Sequence, residues 1–112
     1  MYLFVVLPGP GPPAAFYEVA VYNALVDLFW KPPCEPSGNI IQYQIKYGRT
    51  STNNVQSVLV SADRETKQIN GLAMLTYYSF ELRAENSMGY GPPRKVVVRT
   101  KGPASELHGI VK

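Results

Sequence analysis

The chain has 112 residues, of which 46% are hydrophobic and 17% are charged. This length suits one globular domain with a single core, and the hydrophobic content excludes wholesale disorder. The net charge of +3 allows weak attraction to acidic partners but does not match a nucleic-acid-binding composition. The one cysteine, Cys34, cannot form an internal disulfide, so its thiol is either free or bonded to another molecule.

An apolar hexamer, YLFVVL, occupies residues 2–7 and precedes the proline-rich stretch PGPGPP, which is typical of a semi-rigid linker. The hexamer lacks the basic region and cleavage site of a signal peptide, and it is far shorter than the roughly 20 residues of a membrane span. We therefore expect no direct membrane insertion. Residues 96–103 also lead from a β-rich run into Gly-Pro, so we interpret the hexamer as the end of a preceding, similar domain. The predicted organisation is a linker or tail at 1–11, a domain at 12–101 and a C-terminal linker at 102–112.

From residue 16 onward, short runs rich in β-branched and aromatic residues alternate with turn signals. The runs lie at 16–22, 24–30, 40–47, 55–61, 65–70, 76–86 and 94–100. None of them shows a helical period, and Gly, Pro, Asn and Asp residues separate them. Seven short strands at this spacing predict a small antiparallel β-sandwich.

Apolar and polar residues alternate within most of these runs, which predicts one buried face and one solvent face for each strand. Two sheets packed face to face require this arrangement. The first run departs from it, because Glu18 stands where an apolar residue is expected and leaves the register of that strand open. The residues predicted for the core are Trp30, Tyr43, Ile45, Leu72, Tyr78, Phe80 and Leu82.

Two spacing patterns extend beyond simple alternation. The downstream pattern reads Leu72-x3-Thr76-x-Tyr78-x-Phe80-x-Leu82-x-Ala84-x-Asn86-x2-Gly89-x-Gly91. The upstream pattern reads Pro13, then Val26-x-Leu28-x-Trp30-x-Pro32, then Gly38-x-Ile40-x2-Tyr43-x-Ile45-x-Tyr47. Together and in this order, the two patterns resemble the fibronectin type III domain over residues 12–101.

The resemblance implies a seven-stranded Greek-key sandwich of the immunoglobulin-like class, with sheets of three and four strands and a tyrosine corner at Tyr78. In such a corner the ring is buried and the hydroxyl bonds back to the preceding turn, where we expect it to serve a backbone acceptor. Met74 departs from the family, which often has proline at that position. The cysteine pair of true immunoglobulin domains is absent.

No pattern in the sequence points to catalysis. The one histidine, His108, lies in the tail KGPASELHGIVK, where no neighbour would orient it as a base. No His, Cys, Asp or Glu cluster has metal-ligand spacing, and no glycine-rich loop precedes a helix. We therefore expect no enzyme activity, no cofactor and no metal.

Basic residues on the predicted solvent face form the first candidate binding surface. They are Lys46, Arg83, Lys95 and Arg99, with Gln44 and Tyr77 beside them. This surface, the basic face, would suit a sulfated glycan or an acidic protein. Glu81 and Glu85 share the same face, and cross-strand pairing of these acids with the arginines is the alternative interpretation.

Two loops at one end of the sandwich form the second candidate surface, which we call the loop end. It comprises residues 33–39 and 87–92, with Tyr90 as the predicted aromatic anchor and Met88 and Glu35 beside it. Its alternative is a turn whose tyrosine only covers the end of the core. We favour the loop end over the basic face, because Glu81 and Glu85 weaken the positive charge of the latter.

The resemblance implies a non-catalytic interaction and spacer module of a larger cell-surface receptor, adhesion or matrix protein. Its partners would be another protein and the neighbouring domains of the same chain, with a sulfated glycan as an additional option and no nucleic acid. The expected location is extracellular. Two alternatives remain open, namely an intracellular repeat of the muscle-filament kind and an accessory module of a carbohydrate-active enzyme.

Overall fold

The computed structural model of the protein describes residues 9–103, so the hexamer at residues 2–7 and His108 lie outside the described residues. The described chain contains eight strands: β1 (Pro13–Val21), β2 (Val26–Pro33), β3 (Gln42–Arg49), β4 (Gln56–Ser61), β5 (Thr66–Ile69), β6 (Tyr77–Asn86), β7 (Gly89–Tyr90) and β8 (Arg94–Arg99). One sheet has the order β1-β2-β5, and the other has the order β4-β3-β6 with both β7 and β8 paired to β6. Every pairing is antiparallel, which confirms the predicted sandwich.

The second sheet has five strands instead of the expected four, because the two-residue β7 was not predicted. Gly89 has a φ of 127°, which lets the chain reverse directly after β6 and pair Tyr90 with Glu85. Both β7 and β8 run along the same edge of β6. Pro92 and Pro93 separate them, and neither proline has an N–H group to continue the ladder.

A β-bulge in β1 explains why the sequence left the register of this strand open. The pairing with β2 shifts between Glu18 and Ala20, which leaves Val19 as an extra residue that is 57% exposed. Phe16 and Val21 both pack against the core although they are an odd number of residues apart. Glu18 precedes the bulge and lies opposite the buried Leu28, so it occupies the inward face in a partly buried position, and the bulge directly after it returns Val21 to that face.

The core lies between the two sheets and contains all seven residues that the sequence predicts for it. Six further hydrophobic residues are buried with them: Val26, Leu28, Val60, Ile69, Ala84 and Val98. Trp30 of β2 meets Tyr43 of β3 across the sandwich, with ring centroids 5.6 Å apart and planes inclined at 57°. This tilted arrangement is favourable for aromatic rings and joins the centres of the two sheets.

The tyrosine corner is built from Tyr78 and a second hydrogen-bonding residue, Thr100. The Tyr78 hydroxyl accepts a hydrogen bond from the Ala73 N–H at 2.8 Å. It thus serves a backbone donor, and our expectation of a backbone acceptor was wrong. The Ala73 carbonyl is instead occupied by the buried Thr100 hydroxyl, which donates to it at 2.6 Å and accepts from the Thr76 N–H at 3.0 Å.

Tyr78→Phe is expected to lower the free energy of unfolding by about 1–3 kcal/mol, because the Ala73 N–H loses its partner in a partly buried turn. Urea unfolding measures the difference. Tyr77→Phe is the matched control, since Tyr77 lies on the opposite face and is 55% exposed. Equal losses in the two variants would contradict a structural role for the Tyr78 hydroxyl.

Candidate functional site

The loop end is held together by the side chain of Asn86, the last residue of β6. Asn86 is 2% exposed and occupies the next inward position of β6, two residues after the buried Ala84. Its amide nitrogen donates to the carbonyl of Pro36 at 3.1 Å and to that of Ser37 at 3.0 Å. Its side-chain oxygen accepts from the Met88 N–H at 2.8 Å. One buried amide therefore ties both loops of the loop end to the same strand.

The first described residues pack against the same two loops. The Gly11 N–H donates to the Glu35 carbonyl at 2.8 Å, and Pro10 is fully buried. A Cβ on Gly91 would collide with the Pro10 carbonyl oxygen, so the close approach of the two segments requires glycine. Packing of the domain therefore extends to residues before the predicted boundary at residue 12.

The loop end exposes the three residues that the sequence singled out there. Tyr90 is 39% exposed and Met88 is 53% exposed, while Glu35 lies on the surface of the first loop. Tyr90 lines a shallow groove of about 290 Å³, together with Gly9, Pro10, Gly11, Glu35, Ser37, Gly91 and Pro92. The half-exposed ring stands on a strand and beside fixed backbone, which is the usual setting of an aromatic anchor.

The cations of the basic face lie on one side of the second sheet but do not converge. Glu81 has Lys46 as its cross-strand neighbour on β3 and Lys95 as its neighbour on β8. It also approaches Arg83, whose guanidinium nitrogen lies 3.7 Å from the carboxylate. Three of the four cations therefore surround one carboxylate, which reduces the positive potential of this face.

Arg99 stands apart from the other three cations. Its guanidinium lies over the Tyr77 ring, 5.7 Å from the centroid, and Tyr77 is its cross-strand neighbour. Tyr77 and Glu81 are four residues apart on β6, so Arg99 lies about 13 Å from the cluster around Glu81. A short sulfated ligand would have to span this distance to contact all four cations.

The acids of the basic face do not pair as the sequence analysis expected. Glu81 meets Arg83 along β6, two residues away, instead of meeting an arginine across strands. Glu85 accepts a hydrogen bond from the Gln42 side-chain amide at 2.6 Å. The expectation was wrong because the residues directly opposite Glu81 and Glu85 on the neighbouring strands include no arginine.

The described residues include few side chains that could act as catalytic groups or metal ligands. Burial raises the pKa of the Tyr43 phenol above its ordinary value of 10.0, and the Glu65 carboxylate raises it further. Stability associated with neutral Tyr43 is therefore fully present below pH 10 and is lost as pH rises through the raised pKa. Cys34 is an exposed free thiol. Within residues 9–103, no group of three or more His, Cys, Asp and Glu residues is placed to hold a metal ion.

The described part of the chain contains no helix with the length and hydropathy that a membrane span requires.

Sequence reasoning missed the linking role of Asn86, although the sequence carried a signal for it. Alternation along β6 places residue 86 on the inward face, and a polar residue at a buried position requires hydrogen-bond partners. The contact of Pro10 with Gly91 had no comparable signal. It joins residues that are distant in the chain, and both stretches read only as turns or linkers.

Comparisons with known proteins agree with this fold. The family model of the fibronectin type III domain matches residues 16–100. Neogenin of Rattus norvegicus is 37% identical over 97 residues, which is 86% of this chain and 7% of neogenin. The ephrin type-A receptor 4-A of Xenopus laevis is 36% identical over 66 residues, which is 59% of this chain and 7% of the receptor. The chain thus spans only 4 to 7% of the length of the relatives it matches.

A crystal structure of chicken CNTN1 FN1–FN3 domains superposes on the chain with a TM-score of 0.73 and 24% sequence identity. The superposition covers 83% of this chain and 31% of that chain. At this identity, the likeness supports the fold alone.

Asn86→Ala is expected to lower the free energy of unfolding by about 2–3 kcal/mol, because two carbonyls and one N–H lose a buried partner. Hydrogen exchange at the Met88 amide should accelerate at least tenfold, since the second loop is released. Gln42→Ala removes a hydrogen-bonded amide from the solvent face and serves as the control, with a loss below about 0.5 kcal/mol. Similar losses in both variants would contradict the linking role of Asn86.

The protein beginning at Gly9 is expected to be more stable than the protein beginning at Pro12, by about 1–3 kcal/mol. The shorter protein loses the burial of Pro10 and leaves the Glu35 carbonyl without its donor. Thermal and urea unfolding measure the difference. Glu35→Ala in the longer protein should be neutral, because the hydrogen bond uses the backbone of Glu35. Equal stability of the two proteins would show that residues 9–11 are only a linker.

Proposed function

The chain belongs to the fibronectin type III family, and from that premise we propose that it is a non-catalytic interaction and spacer module of a larger cell-surface receptor, adhesion or matrix protein. It acts outside the cell and contacts a protein partner through the loop end. Neighbouring domains of the same chain are its other partners. The matched relatives, one of which is named as a receptor, support this assignment.

The observation that carries the interaction role is the fixed geometry of the loop end. Asn86 joins both loops to β6 by three hydrogen bonds, so the loops need little further ordering when a partner binds. Preorganised loops lose less conformational entropy on association, which favours affinity. Tyr90 and Met88 supply exposed aromatic and apolar surface next to this rigid support.

The directions in which the chain enters and leaves the domain support the spacer role. Gly9 lies beside the Tyr90 carbonyl at the loop end. Thr100 and Lys101 lie at the other end, where Thr100 bonds to the tyrosine corner and the Lys101 N–H donates to the Tyr22 carbonyl. The ten residues of β6 connect the two ends over about 30 Å. Domains joined at these points would be held apart by the length of the sandwich.

The absence of a catalytic role rests on the side chains that are present. The exposed nucleophile Cys34 lies in the first loop, and the described residues include no histidine that could act as its base. Lys46, Arg83 and Glu81 lie together on the solvent face, where the carboxylate is shared between the two cations as a charge cluster.

An intracellular repeat is the second candidate function, and the exposed free thiol of Cys34 favours it. Cytosolic proteins keep thiols reduced, whereas extracellular proteins more often pair them in disulfides. The similarity to a receptor outweighs this single residue in our proposal.

Cell binding by the multimerised protein tests the proposed surface. The biotinylated protein is loaded on fluorescent streptavidin tetramers and applied to a panel of cultured cells, with binding measured by flow cytometry. Tyr90→Ala should weaken binding by at least about thirtyfold, the equivalent of roughly 2 kcal/mol for a central aromatic residue. The double variant Lys46→Glu with Arg99→Glu should bind like the unsubstituted protein, and added salt should have little effect.

Heparin chromatography provides the opposing measurement. Retention well above physiological salt, lost in the Lys46→Glu and Arg99→Glu variant, would assign binding to the basic face and contradict the proposal. Binding to no cell line by the unsubstituted protein would contradict an extracellular interaction role.

A further inference from the structure

The two sheets have exposed edges, and most of them are protected against pairing with another chain. An edge strand presents unpaired N–H and C=O groups, so proteins guard such edges with charges, prolines, bulges or short strands. β1 carries the bulge between Glu18 and Ala20. β5 has only four residues, one of which is Lys67. β8 follows two prolines and contains Arg94, Lys95 and Arg99.

Among the strands of residues 9–103, β4 is the edge strand without any of these protections. Its sequence is QSVLVS, which contains no charge, no proline and no glycine. Its pairing with β3 continues without a register shift over all six residues, and β3 is its neighbour in the sheet. Leu59 at its centre is 56% exposed, and Val55 just before it is 61% exposed. A regular, uncharged and apolar edge of this kind is a template for a further strand.

The order of residues in β4 makes the strand complementary to itself. Ser57, Leu59 and Ser61 lie opposite the outward residues of β3, whereas Val58 and Val60 lie opposite the buried Ile45 and Tyr43. A second β4 placed antiparallel, with the two-fold axis at Leu59, pairs residue 57 with 61, 58 with 60 and 59 with itself. In each pair both residues lie on the same face of the sheet. The pairs are serine with serine, valine with valine and leucine with leucine.

We propose that β4 is a self-pairing edge through which two copies of this chain join into one continuous sheet. Closed two-fold pairing uses the same patch on both copies, as this strand allows. A shift of one residue would place outward side chains opposite inward ones, so the two faces of the sheet exclude that register. Pairing removes water from the two Leu59 side chains and satisfies backbone groups that are open on this edge.

A second copy fits this edge better than a charged or irregular partner does. The facing pairs contain no ionic group, and the serines lie toward the two ends of the shared strand. The dimer also leaves the loop end free, because β4 and β7 lie on opposite sides of the sheet order β4-β3-β6-β7. The inference is therefore independent of the proposed function, and either can fail alone.

Cysteine cross-linking tests the register directly. Leu59→Cys is made in the full chain with Cys34→Ser, so that position 59 carries the only thiol. Directly opposite residues of antiparallel strands have Cα atoms about 4.5–5.5 Å apart, within the range that a disulfide spans. Mild oxidation with copper phenanthroline should give a covalent dimer on a non-reducing gel. Val97→Cys in the same background is the control, since Val97 is 51% exposed and faces outward on β8.

Sedimentation measures the association without a cross-link. The unsubstituted protein should show a concentration-dependent dimer between micromolar and millimolar concentration. Leu59→Lys should sediment as a monomer with an unchanged circular dichroism spectrum, because two like charges would meet on the axis at an exposed position. Val97→Lys should dimerise like the unsubstituted protein.

Three outcomes would overturn the inference. The first is a monomeric unsubstituted protein throughout the concentration range. The second is equal cross-linking of the Leu59→Cys and Val97→Cys variants. The third is a dimer that is lost when residues 1–8 are removed, which would mean that the association depends on the apolar hexamer at residues 2–7 and not on β4 alone.

Discussion

The register of β6 is the constraint on which the rest of the structure depends. This strand pairs with β3 on one side and with β7 and β8 on the other, so its alternation fixes which residues of three neighbours face inward. Phe80 and Leu82 fill the middle of its inward face. Tyr78 and Asn86 occupy the two ends and turn their polar atoms to backbone groups of the adjoining turns. One strand thus sets the core, the corner and the loop end together.

Alternation was sufficient to predict the inward residues of β2, β3 and β6, because each of these strands has neighbours on both sides and one buried face. It was insufficient for β1, where the extra Val19 exchanges the two faces within the strand. It could not predict β7 at all. A period of two has no meaning over two residues, and this strand depends on the left-handed Gly89 turn that precedes it.

The location of the candidate site could be predicted from the sequence, but the contacts within it could not. Sequence order put the two loops at one end of the sandwich, and it put the cations on one face. It did not show that Arg83 would share Glu81 with two lysines, because strand register decides which charges become neighbours. Nor did it show that Pro10 would be buried against Gly91, since a turn-like stretch carries no periodic signal of its burial.

The two surfaces proposed for binding lie on different sides of the sandwich, which follows from its topology. The loop end lies where β6 finishes, whereas the open edge of β4 is separated from β7 by two intervening strands. A partner at Tyr90 and a second copy at β4 would therefore not compete for the same residues. Because both surfaces belong to the same sheet, a dimer through β4 would fix the relative orientation of two loop ends. Such a pair would present two copies of the same anchor at a fixed spacing, so a multivalent partner would be bound more tightly than one loop end alone allows.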